Sequence, residues 1–247
     1  MHPDLSHLFQ NPPAWMAGCF AGILLLTLAG CYVVLRKAAP SQGGRIFVGL
    51  LVWLGLLLLL ARNGFFLTVG TVPPRFTLTI GPPVAFVLSL LLFPAGRRFM
   101  DRCPLPAMTF LNTIRVPVEL LLYGLFVYGQ IPELMTFEGR NLDVLSGLTA
   151  PLAGWWATRN RPFDRRLLLF WNFLALGLLV NIVGHAILAA PVPFQQLAFD
   201  QPNVGVLKFP YVGLPGLVVP VVLFTHLASL RQLLKPEPVS VDQLSAI

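Results

Sequence analysis

Seven stretches of apolar sequence, separated by gaps that hold nearly all the charge, constrain this chain more than any motif does. A water-soluble fold cannot hide runs such as Leu54–Leu60 in seven places at once. Of the 247 residues, 56% are hydrophobic and 11% are charged, against roughly 25% charged in a soluble domain. A bilayer is the natural solvent for such a chain, and a helix that crosses one needs about 20 mainly apolar residues. The stretches predict helices over 15–35, 46–61, 82–99, 107–129, 143–158, 166–190 and 209–231. A barrel strand would alternate between apolar and polar residues, and Leu54–Leu60 does not. The expected fold is all-α: a single seven-transmembrane-helix bundle over residues 1–234 with a short polar tail at 235–247.

The gaps set the threading. Lys and Arg accumulate in short cytoplasmic loops. Twelve of them fall in alternate gaps and the tail: Arg36, Lys37, Arg45, Arg97, Arg98, Arg102, Arg159, Arg161, Arg165, Arg166, Arg231 and Lys235. The other tier holds four, Arg62, Arg75, Arg140 and Lys208. This asymmetry predicts an N-terminus outside and a C-terminus in the cytoplasm, in a multi-pass protein of the cell (inner) membrane. It also accounts for the net charge of +7 without nucleic acid as a partner. Anionic lipid at the cytoplasmic face is the expected one. Leu28-Ala29-Gly30-Cys31 looks like a lipoprotein cleavage box. The segment lacks the basic start of a secretory signal and stays apolar through Leu35, so a membrane helix is expected there.

Local signals refine the picture. In the loop 62–81, Phe65–Val69 and Phe76–Ile80 are β-prone and divided by Pro73-Pro74, which predicts a short extended hairpin. Pro151 interrupts the fifth stretch, and Pro210, Pro215 and Pro220 the seventh. Interior prolines kink helices, and broken helices are where transporters build sites. Gly18 and Gly22 form a small-residue face on the first helix. Close packing inside the bundle is expected there, with oligomer formation as the alternative.

Arg115 and Glu119 are the only charges inside a span and away from its ends, four residues apart on one helix face with Pro117 between them. A charge at mid-bilayer costs roughly 3 kcal/mol, so the pair is expected to face the bundle interior. Asn181 and His185 repeat the four-residue spacing on the sixth helix. The four residues form a candidate polar pocket among helices four to seven. Arg62, Arg75, Glu138, Arg140, Asp143 and Lys208 form a candidate outer vestibule, with Asp143 placed to cap the fifth helix. His185 and His226 are expected near opposite membrane faces, too far apart to share a haem iron. The seventh helix has no lysine deep enough for retinal. No metal site, cofactor or catalytic motif stands out, so the catalytic residues stay open and the reading leans away from an enzyme. The leading expectation is a small-solute or ion transporter, or a ligand-binding membrane protein. The alternatives are an intramembrane enzyme acting on a lipid or isoprenoid, with Glu119 or His185 as its acid–base group, and a structural or assembly subunit of a membrane complex.

Overall fold

The computed structural model describes residues 3–159 and 161–235; the tail from 236 to 247 lies outside the described residues. The elements are α1 (Ala14–Ala38), α2 (Gly43–Arg62), α3 (Thr77–Leu92), α4 (Pro94–Arg102), α5 (Leu105–Leu111), α6 (Arg115–Val127), α7 (Asp143–Arg159), α8 (Pro162–Leu188) and α9 (Val219–Leu233). A 3₁₀ turn at Asn112–Ile114 joins α5 to α6, so that Leu105–Val127 runs as one span. Among the described residues, five helices are long and apolar enough to cross a membrane: α1, α2, α5–α6, α8 and the segment Leu214–Leu233 that contains α9. The bent pair α3–α4 makes a sixth if it is counted as one span. The chain is thus an all-helical protein of membrane-spanning character.

The expected hairpin at 62–81 does not form. Among the described residues no strand exists; Phe65–Leu67 is a 3₁₀ turn, and the stretch from Thr77 onward belongs to α3. The alternation of apolar residues with Thr77 and Thr79 imitates a strand. Both hydroxyls instead donate to carbonyls three residues back, Pro74 and Phe76, at 2.7 Å, a local bond that helical backbone allows. Gly64, at φ 70°, ends the preceding helix in the left-handed conformation that glycine adopts without strain.

The helix expected over 82–99 is two helices at 95°. Pro94 forces the turn. Phe93 before it is extended (φ −92°, ψ 138°), as the residue before a proline prefers. Gly96 then lets α4 fold tightly under α3, since a Cβ there would lie 2.5 Å from the Cα of Leu90.

The most buried span is the last. Leu214–Leu233 has 72% of its apolar window inside the protein, against 17% for α2, so it forms the axis of the bundle. Its start is a π-helical turn, Leu214–Val218. Pro220 has no N–H to give the carbonyl of Gly216, four residues back. The indole N–H of Trp53 donates to that carbonyl at 2.9 Å, which meets the need of unpaired backbone in a membrane.

Candidate functional site

The site is built where α6 and α7 run antiparallel. Gly147 and Gly154 of α7 meet the backbone of Val116 and the ring of Phe110 so closely that a Cβ at either would sit 2.8 Å away. This register sets the N-terminus of α7 beside Arg115 and Glu119, about 12 Å short of the end of α6, given 1.5 Å per residue from Glu119 to Val127. The chain reaches that depth through the loop 130–142. Gly129, at φ 69°, closes α6 with bonds from its own N–H to Phe126 O and from Gln130 N–H to Leu125 O, both 2.8 Å. Ile131, Met135 and Thr136 are then buried as the loop turns inward. Irregular backbone at such depth is tolerated only inside protein or along a cavity.

Arg115, the first residue of α6, is 2% exposed. Its guanidinium forms a bidentate pair with Asp143, with Nε at 2.7 Å from Oδ2 and Nη2 on Oδ1. Nη2 also donates to Ala175 O of α8 at 3.0 Å, and Nη1 lies 3.1 Å from His226 Nε2 of α9. Arginine has only donors, so Nε2 must accept. That assigns the ring proton to Nδ1, where it donates to Asn172 Oδ1 at 2.9 Å. Asn172 closes the chain by donating to Leu168 O. One guanidinium therefore ties together four helices, α6 to α9.

Glu119 lies beside this network and does not pair with Arg115. Its two oxygens accept from a single donor, Asn141 Nδ2, each at 2.7 Å. The same amide nitrogen reaches Met135 O, and Asn141 Oδ1 accepts from the N–H of Asp143. The cap on α7 is thus Asn141. The expectation that Asp143 caps it is corrected: its carboxylate is committed to Arg115. Arg115, Glu119 and Asp143 line a cavity of about 60 Å³ that is otherwise apolar, with Leu179, Ile182, Val206 and Val218 among its walls. That is room for a few waters or a small ion.

The structure divides the remaining candidates. Asn181 donates to Arg140 O at 3.0 Å, and His185 bonds the carbonyl of Asn181; neither lines the cavity. Asp143 is buried, not in an outer vestibule. Arg75 binds Phe65 O and Thr68 Oγ1 and lies over the ring of Phe65. Arg62 lies over the ring of Phe209, and Glu138 and Arg140 are exposed. The Lys208 ammonium is buried against His7 O, Gln10 O and Gln130 Oε1. Burial pushes it down to about 8. Arg62, Arg75 and Lys208 are thus each held by separate oxygens or rings in their own loop segments and do not converge.

Sequence reasoning missed Asn141, Asn172 and His226 as partners. The one readable signal was the apolar content of the loop 130–142, with Ile131, Leu134, Met135 and Phe137, unusual for a segment bathed in water. Among the described residues no group of three His, Cys, Asp or Glu side chains is placed to hold a metal ion.

Residues 73–234, more than half of the chain, match the family described as "domain of unknown function (DUF8737)". The chain belongs to this family. The DUF8737 segment starts just before α3 and ends just after α9, so it contains the whole Arg115 network and every residue of the Glu119 cavity. No curated protein and no solved structure matches the chain.

Proposed function

We propose that this DUF8737 protein is a proton or small-cation carrier of the cell membrane, threaded with its N-terminus outside, and that Glu119 is the group that takes up the ion. The observation that carries this reading is a charge imbalance. Within the buried cluster Arg115 supplies one positive charge, and Asp143 and Glu119 supply two carboxylates. The guanidinium is spent on Asp143, and Glu119 has one neutral amide as its donor. A carboxylate left without a counter-charge at this depth is costly. A proton or a small cation entering the adjoining cavity balances it. The cavity size favours such an ion over a sugar or an amino acid.

The test is Glu119→Gln in proteoliposomes, with an internal pH dye or a cation dye as the readout and infrared titration of the buried carboxyl group beside it. Wild-type protein is expected to show ion flux and a carboxyl band that responds to pH or to the cation. Glu119→Gln is expected to lose both while it still folds. Wild-type flux in that variant, or a wild-type protein that neither binds nor passes an ion, sinks the reading.

A further inference from the structure

Across the last helix from the Glu119 cavity lies a second one, of about 200 Å³. The two share no lining residue: Leu214, Pro215 and Val218 face the first, and Gly216, Leu217 and Pro220 face the second. Its other walls include Val34 of α1, Trp53 of α2, Phe86 of α3 and Phe99 of α4. Apart from the Cys31 thiol, which behaves as a small hydrophobe, the polar side chains in this lining are already bonded. Trp53 donates to Gly216 O and Thr225 to Val222 O. The space therefore suits hydrocarbon. An apolar cavity of roughly 150 Å³ holds benzene, and this larger one accommodates a short segment of an acyl chain.

Positive charge adjoins the same walls. Arg36 follows the lining residue Leu35, Arg45 precedes Ile46, and Arg97 and Arg98 precede Phe99. All four are exposed, and none has a carboxylate partner among the described residues. Helix α4 stands at 95° to α3. When α3 crosses the membrane, α4 lies along its surface. Gly96 and Met100 point inward while Arg97, Arg98 and Arg102 are exposed, the pattern of an interfacial amphipathic helix.

We propose that this pocket binds an anionic phospholipid, with part of one acyl chain in the cavity and the phosphate headgroup against Arg97 and Arg98. The inference is independent of the Glu119 reading.

The protein, in nanodiscs of phosphatidylcholine, is titrated with phosphatidylglycerol or phosphatidylcholine carrying the same brominated chains. Quenching of Trp53 is read as the fluorescence difference between wild type and Trp53→Phe. Brominated phosphatidylglycerol is expected to quench Trp53 at a roughly thirtyfold lower mole fraction, the scale set by two arginines at about 1 kcal/mol each on an anionic lipid surface. The exposed double variant R97Q/R98Q is expected to abolish that preference. Equal quenching by both lipids in wild type, no quenching by either, or a preference that survives in R97Q/R98Q overturns the proposal.

Discussion

Arg115 is accommodated in the middle of a span because four of its five N–H donors meet three kinds of acceptor: a carboxylate, a backbone carbonyl and an imidazole nitrogen. The Arg115–Asp143 pair is a structural clasp, and Glu119 is the spare charge beside it. Removing one partner of a buried pair strands the other, at about 3–5 kcal/mol. Asp143→Ala is therefore expected to lower thermal stability in detergent by an amount of that order. The double variant Arg115→Met/Asp143→Leu should recover most of the loss, since apolar replacement of a whole buried pair is often neutral. A double variant as unstable as Asp143→Ala would mean that the links to His226 and Ala175 hold the bundle, not the ion pair. The sequence placed Arg115 and Glu119 inside the protein, because their insertion cost requires it. It paired them with each other because only same-helix neighbours are visible along a chain. Asp143 is 28 residues away and His226 is 111, and nothing local links them.

Among the elements, α7 decides the site by where it starts. Its buried face, Asp143, Ser146, Gly147, Ala150, Ala153 and Gly154, is small, so α6 approaches to backbone contact at Gly147 and the Phe110 ring of α5 packs onto Gly154. Gly147→Ala places a methyl 2.8 Å from Val116 N. It is expected to cost about 1–3 kcal/mol through overpacking and to shift the Glu119 register. Gly18→Ala is the control. The internal packing expected at Gly18 and Gly22 is not found, for a Cβ at either meets nothing within 4 Å. Alanine at Gly18 should be neutral or stabilising by up to about 1 kcal/mol, as measured by thermal unfolding in detergent. Equal effects at both positions would contradict this packing. The sequence showed both sets of glycines as small residues at helical spacing. Only the neighbours separate a packed glycine from an open one.

For the whole molecule, part of the basic tier meets where α9 ends, with Arg165 of α8 donating to the carbonyls of Gln232, Leu233 and Lys235. Asp101 of α4 pairs with Arg231 and Lys235 at 2.9 and 2.6 Å, and Arg159 pairs with Asp164 at 3.1 Å. That end is expected to be cytoplasmic. A fluorescent protein fused after the C-terminus should fluoresce, and alkaline phosphatase fused there should be inactive; the reverse result would invert the threading and the leaflet of the lipid pocket. Composition made the long apolar helices legible, because hydropathy acts residue by residue. The sequence by itself determined a helical membrane protein with two charges that had to be buried. Only the tertiary structure decided that α3 and α4 bend, that the loop 130–142 dives to mid-bundle, and that the last helix separates a carboxylate cavity from a hydrocarbon one. Those outcomes rest on which backbones approach and which distant donors meet which acceptors, and that information exists only once the chain has folded.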